Sequence, residues 1–411
     1  MLRPGILGLA ILVLGIIFSC SSTKNGSKDS EKWVGTWSTA PQLVEPRNMP
    51  PHPGLSGNTL RQIVAVSIGG EELRMKFTNE FSNSHLEINK VQIAVSKNSS
   101  AVDQSTSETL EFEGKESVTI PAGKAVYSDP VKFDLVPRML VAITIAYGEV
   151  PSDVTGHPGS RTTSFLLEGQ HAQPQANFAE SVKTDHWYTI NTIEVKADES
   201  AAAVAILGNS ITDGRGSGTN KQNRWPDILS QQLLKNPNTD NIGVLNMGIG
   251  GNAVLRGGLG PTALDRFNRD ILQQNGVKWL IIMEGVNDLG GTPDRTAAFN
   301  VADGLISAYK KMIKEAHERD IKVYGGTITP IDKSFYYKDY REEARQKIND
   351  WIRNSGEFDA VIDFDKAVRN PENPSVIREN AHDGDHLHPN EYGYEIMGKA
   401  INTSLFQNSK D

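Results

Sequence analysis

The chain has 411 residues, more than one ordinary hydrophobic core serves, so its length favours two domains. Its composition, 38% apolar and 22% charged, is ordinary for a soluble enzyme and shows no whole-chain sign of disorder. A formal net charge of -8 leaves no basic excess to neutralise phosphates, which argues against nucleic acid as a partner.

The first element in chain order is an apolar run from Gly5 to Ser19, following Met1-Leu2-Arg3. It is short for a bilayer span and has the length of a signal-peptide core, so residues 1–19 are expected to be an export signal. The run ends at "IFSC", where Cys20 is the chain's single cysteine, so no disulfide can form within the chain. Small residues before a lone cysteine at the end of an apolar run resemble the bacterial lipoprotein lipobox. That resemblance implies lipidation of Cys20, a new N-terminus there and attachment to a cell-envelope membrane, facing the periplasm or the cell surface. A secretory signal with a bystander cysteine is the alternative. Residues 20–32, with "SSTKNGSKDSEK", read as a polar tether.

From Trp33 to about Val195 the apolar pattern has period two. Leu73, Met75 and Phe77 alternate with polar neighbours, as do Val131, Phe133 and Leu135, then Val141, Ile143, Ile145 and Tyr147. These predict half-buried strands. Gly69-Gly70 lies between two such runs and suits the positive φ angles of a tight hairpin. The alternation slips between Ile88 and Val91, which predicts a bulge or a change of sheet. Many short strands with turns and no helical stretch imply an all-β sandwich or jelly roll over residues 33–197.

From residue 198 the pattern changes. "AAAVAILG", "IGVLN", "VKWLIIME", "IKVYGGTIT" and "FDAVIDF" are apolar runs of strand length with helical patterns between them, one carrying Ala298, Ala302, Leu305, Tyr309, Met312 and Ala316. Strands buried on both faces and alternating with helices predict an α/β domain with a parallel sheet over residues 198–411. Sites in such sheets form at the carboxyl ends of the strands.

The first strand is followed by "GNSITDG", which puts Ser210 in a turn where its hydroxyl can be exposed beside backbone N–H groups. The second is followed by "NMGIGGN", in which the Gly251 N–H can reach an oxyanion. A dinucleotide-binding reading of those glycines is rejected, because the loop follows the second strand and lacks a matching acidic strand end. The third strand leads into "EGVND", where the neutral amide of Asn287 can donate without titrating. Near the C-terminus "NAHDGDHLHPNEYGY" holds three of the nine histidines. Asp385 and His388, three apart, suit a carboxylate orienting an imidazole that takes a proton from serine. Each element alone is as readily a structural turn. Their joint order along the strands is far more specific.

Together "GNSITDG", "NMGIGGN", "EGVND" and "DGDHLHP" resemble the four blocks of the SGNH, or GDSL-type, esterases and lipases. The resemblance implies a three-layer, flavodoxin-like α/β hydrolase, with Ser210 as nucleophile, His388 as general base then acid, and Asp385 as its orienting carboxylate. Gly251 and Asn287, with the Ser210 N–H, would form the oxyanion hole, with no cofactor and no metal. The family's usual aspartate before the serine is Asn209 here. "WVGTWSTAPQ" and "LRQIVAVSIGGEELRMKFTN" are further similar to the β-rich region of a subgroup related to esterases of polysaccharide degraders. That implies a serine esterase acting on short-chain acyl esters, O-acetyl groups on carbohydrate, with a small-molecule or polysaccharide ester as substrate and no obligate protein partner.

Two rivals remain at this stage. A metal-dependent hydrolase would use His382, His386 and His388 with one aspartate. A lipid-anchored, non-catalytic carbohydrate-binding protein would use Trp37, Trp187 and Tyr188 for stacking, although core packing is the better reading of each. Trp225 and Glu284 are candidate substrate contacts whose simpler reading is structural, and His317 is expected to cap the last carbonyls of its helix.

Overall fold

The computed structural model describes residue 1 and residues 31–97, 99–171 and 178–407. The apolar leader from residue 2, Cys20 and the tether as far as residue 30 lie outside the described residues.

Antiparallel strands fill residues 31–198. One five-stranded sheet is built on Glu31–Ser38, Ile190–Asp198 and Gly70–Thr78, and a seven-stranded sheet on Thr59–Ala65, Leu140–Tyr147 and Leu86–Val95. Leu73, Met75 and Phe77 of the first pack in one core with Val141, Ile143 and Ile145 of the second, which makes the pair a sandwich. The slip between Ile88 and Val91 is a bulge: the pairing of Leu86–Val95 with Leu140–Tyr147 steps from Lys90 to Ile88 and skips Asn89.

Two expectations fail here. Gly69-Gly70 makes no hairpin, because Thr59–Ala65 and Gly70–Thr78 belong to different sheets and neither glycine has a positive φ. The glycines serve close approach instead: a Cβ on Gly69 would lie 2.4 Å from the Leu135 carbonyl oxygen, and one on Gly70 3.0 Å from Val195. Leu140–Tyr147 is also buried on both faces, because its intervening Ala142 packs with Ile63, Ala94 and Phe165 in a second, outer core.

The C-terminal half carries a five-stranded parallel sheet. In sheet order it runs Ile242–Gly248, Ala202–Gly208, Val277–Met283, Lys322–Gly326 and Ala360–Ile362, so the second strand in sequence lies outside the first. This is the 2-1-3-4-5 order of flavodoxin-like sheets, whose crevice lies where the winding reverses beside the first strand. All seven residues of Ala202–Gly208 are buried. Ala203, Ala205 and Leu207 face the core that holds Leu305, Tyr309 and Met312 of helix Arg295–His317, and Val204 and Ile206 face Trp225, Leu229 and Tyr394. Helices thus cover both faces, the arrangement expected of an SGNH hydrolase domain. His317 does not cap its helix but pairs with Asp359 at 2.8 Å, which also accepts from the Val323 N–H.

The two halves share one core. Val34 and Trp37 of the first strand pack with Leu245 and Met247 of the parallel sheet, and the Gly35 N–H donates to the Asn275 carbonyl at 3.1 Å.

Candidate active site

Three loops at the carboxyl ends of the first three parallel strands, and the loop before helix Glu391–Lys399, meet at the crevice. Gly208 ends the first strand, Asn209 caps a one-turn helix Ser210–Asp213 by accepting the Ile211 N–H at 3.0 Å, and Ser210 is that helix's first residue. Gly208 admits nothing larger, since its Cβ would lie 2.1 Å from Thr212 Oγ1.

The Ser210 hydroxyl lies 2.8 Å from His388 Nε2, and His388 Nδ1 lies 2.6 Å from Asp385 Oδ2. The other oxygen of Asp385 accepts the N–H groups of Leu387 and His388, both at 2.9 Å. Burial works against ionisation of Asp385, but the N–H and ring of His388 with the Leu387 N–H outweigh it and hold the carboxyl well below the usual carboxylate range. Burial lowers the pKa of His388, opposed by Asp385 and reinforced by Arg215 and Arg161. A carboxylate that stays ionised therefore holds Nδ1–H, and a neutral ring presents Nε2 to the hydroxyl. This arrangement can take a proton from Ser210.

Gly251 sits at φ +73, a conformation that favours glycine. Gly251 and Asn287 line the same cleft as Ser210 and His388. Among the described residues the N–H groups of Ser210 and Gly251 meet no protein acceptor, so both are available to a ligand. The Asn287 amide is held at both ends: its Nδ2 donates to the Asn252 carbonyl at 2.7 Å and its Oδ1 accepts from Tyr336 at 2.9 Å.

Behind this surface is a buried network that the sequence did not reveal. Arg266, 1% exposed, donates to the carbonyls of Gly208 and Met247 and to Asn252 Oδ1, tying two strand ends to the loop that steers Asn287. Glu284 is also buried. It accepts from Asn209 Nδ2 at 3.2 Å and lies 3.8 Å from Arg266, so it supports the cap of the Ser210 helix and is shut away from the cleft. Trp225 is fully buried against Phe364, again structural.

The β region forms one wall of the site. The cleft, about 400 Å³, is lined by Gln42, Glu45, Arg47, Asn48, Arg161 and His186 as well as by Ser210, Arg215, Tyr336 and His388. Buried His157 reaches across to Asp213, the last residue of helix Ser210–Asp213, at 2.9 Å, while its Nδ1 lies 2.9 Å from the Ala40 carbonyl. These two contacts clamp the two halves together beside Ser210. Trp37, Trp187 and Tyr188 are buried rather than open for stacking, with Trp37 edge-on to Trp187 at 5.1 Å.

The structure splits the three histidines of the metal alternative. His388 is engaged with Ser210 and Asp385, whereas His382 and His386 lie with Glu379, one potential ligand atom from each within 4.8 Å of the others. His382 Nδ1 accepts the Gly384 N–H at 3.0 Å, so its neutral ring carries hydrogen on Nε2 and has no lone pair there for a cation.

Residues 206–396 match the model of the GDSL-like Lipase/Acylhydrolase family. Similar solved structures include a GDSL-like lipase from Bacteroides thetaiotaomicron, 20% identical over 50% of this chain and 87% of that one, TM-score 0.36. A member of the lipolytic protein G-D-S-L family from Veillonella parvula is 21% identical over 49% and 96%, TM-score 0.37. A variant of an acetyl xylan esterase from Geobacillus stearothermophilus is 19% identical over 52% and 100%, TM-score 0.39. No curated protein matches. The chain carries an SGNH-type α/β hydrolase domain behind a β-rich region. More particularly, residues 206–396 form a GDSL-like lipase/acylhydrolase domain, which supports a carboxylic ester hydrolase.

Proposed function

We propose that this esterase removes short acyl groups, acetyl foremost, from carbohydrate. Ser210 acts as nucleophile, His388 as base then acid, and Asp385 as the carboxylate that orients His388. The observation that carries the reading is the unbroken chain from Ser210 through His388 to Asp385, at 2.8 and 2.6 Å, opening on a cleft shared with Gly251 and Asn287. Ser210 Oγ attacks the carbonyl carbon as His388 Nε2 takes its proton, and the oxyanion is held by the N–H groups of Ser210 and Gly251 and by Asn287 Nδ2. His388 then protonates the departing alcohol. Water, deprotonated by the same ring, attacks the acyl-enzyme and releases the acid. Gln42, Asn48, Asn287 and Tyr336 offer hydrogen-bonding groups to a hydroxyl-rich alcohol, beside the apolar surfaces of Leu259, Phe335 and Leu387. Export and lipidation at Cys20 belong to the same proposal.

The test is hydrolysis of p-nitrophenyl acetate, butyrate and octanoate by wild type, Ser210→Ala and EDTA-treated protein. Turnover of acetate that vanishes in Ser210→Ala and is indifferent to EDTA is expected. Turnover that survives Ser210→Ala and dies with EDTA would overturn the triad, and a preference for octanoate would overturn the short-acyl reading.

A further inference from the structure

The cleft beside Ser210 is more cationic than the chain around it. Although the protein as a whole carries a net charge of -8, three arginines from three separate segments line this one cleft. Arg47 comes from the turn Pro46–Asn48, Arg161 from the link between strands Thr155–His157 and Ser164–Leu167, and Arg215 from just past the nucleophile's helix.

The nearby carboxylates do not satisfy them. Glu45 spends one oxygen on Gln42 Nε2 at 2.8 Å and the other on Asn48 Nδ2 at 2.9 Å. Asp213 is bonded to His157, and its contact with Arg161 is long, 3.8 Å. Asp385 is bonded to His388 and two backbone N–H groups, and Arg215 stands 3.9 Å away. Arg47 has neither an ion pair nor a hydrogen bond among the described residues, and Arg161 Nε is enclosed without a partner. Arg161 also holds a left-handed backbone, φ +50, a conformation that a non-glycine residue keeps where its surroundings impose it and that concentrates at functional sites.

Guanidinium forks left short of acceptors match the planar oxygens of a carboxylate or phosphate. Arg215 stands 3.9 Å from Asp385, the carboxylate bonded to His388, and Arg47 and Arg161 line the same cleft, so the three cations flank the side from which His388 reaches the leaving oxygen of the alcohol. We propose that Arg47, Arg161 and Arg215 form a subsite for an anionic group, a carboxylate or a phosphate, on the sugar that carries the acyl ester. This rests on the esterase reading above and narrows its substrate to acidic carbohydrates.

The experiment compares, with the full chain, an O-acetylated methyl hexuronoside, an acetylated hexose phosphate and the acetylated neutral methyl hexoside. At least one anionic ester is expected to exceed the neutral one about tenfold in kcat/KM, with the difference in KM. The better anion identifies the group. Raising the salt from about 20 mM to about 500 mM should erode the preference. Arg47→Gln should lower the anionic-to-neutral ratio about tenfold and Arg47→Lys should restore part of it, with Arg161→Gln as a second, independent variant. Neutral and anionic esters hydrolysed equally well, or a ratio that neither glutamine variant moves, would overturn the subsite while leaving the esterase standing. No hydrolysis of any ester, p-nitrophenyl acetate included, would instead overturn the esterase reading.

Discussion

Asn209 and Glu284 show how single atoms set the conditions beside Ser210, the proposed nucleophile. Asn209 Oδ1 caps the Ile211 N–H and its Nδ2 donates to Glu284, so the aspartate usual in the resembling family would keep the cap but set a second carboxylate against the first. Burial pushes the Glu284 carboxyl up to about 8, opposed by Arg266 and reinforced by Asp288. Its folded pKa exceeds the unfolded one, so its contribution to stability is full at acid pH and is lost as pH rises toward 8. Asn209→Asp should therefore lower Tm more at pH 9 than at pH 5, a trend that thermal unfolding across that range would register; an equal deficit throughout would contradict it. His388 carries the opposite shift. With its pKa held below the ordinary imidazole value, the acid limb of kcat/KM is expected below about pH 6.5. Arg215→Ala, which removes one cation from beside the ring, should move that limb to higher pH. A limb left in place would mean that Arg215 does not act on His388.

The elements divide by how far their residues depend on neighbours remote in sequence. The runs ending in Gly208, Gly248 and Met283 are strands buried on both faces, which continuous apolar stretches announce. The positions just past them stood out because serine, glycine and asparagine there have few structural reasons to recur in that order. Arg266 gave no such signal, because a buried arginine looks like any surface arginine until the carbonyls of Gly208 and Met247 close around it. Gly69-Gly70 misled for a related reason: a turn between two sheets has the same local sequence as a turn between two partners. The cleft wall from Arg47 and Arg161 was equally hidden, since the small sheet of Gln42–Leu43, Thr155–His157 and Trp187–Tyr188 gathers residues more than a hundred positions apart. The same sheet positions His157 against the nucleophile's helix. His157→Ala should lower the rate of Ser210 acylation, measured with a fluorophosphonate probe, by on the order of 100-fold through misplacement of the hydroxyl. An unchanged labelling rate would reduce the clamp to a packing contact.

At the scale of the whole molecule the β region and the hydrolase region are joined in one core, because Leu245 and Met247 of Ile242–Gly248 pack with Val34 and Trp37 of the first strand of the β region. Contact there is backbone on backbone. Gly243 lies so close to Gly35 that a Cβ on Gly243 would sit 2.1 Å from the Gly35 carbonyl oxygen, and a Cβ on Gly35 would sit 2.8 Å from Leu245. Neither glycine has a positive φ, so their smallness is required by proximity rather than by conformation. Gly243→Ala must force the strands apart, with an expected loss of about 1–3 kcal/mol from overpacking. Gly291→Ala, where no atom lies within 4 Å of the added Cβ, is the matched control and should leave Tm near that of wild type. Because Arg47 and Arg161 line the cleft from the β region and His157 ties that region to Asp213, Gly243→Ala is expected also to lose activity at temperatures where its far-UV circular dichroism is still native. A Gly243→Ala protein with the Tm and turnover of wild type would mean that the two halves are not joined along this seam, and that the β wall of the cleft is not fixed by it.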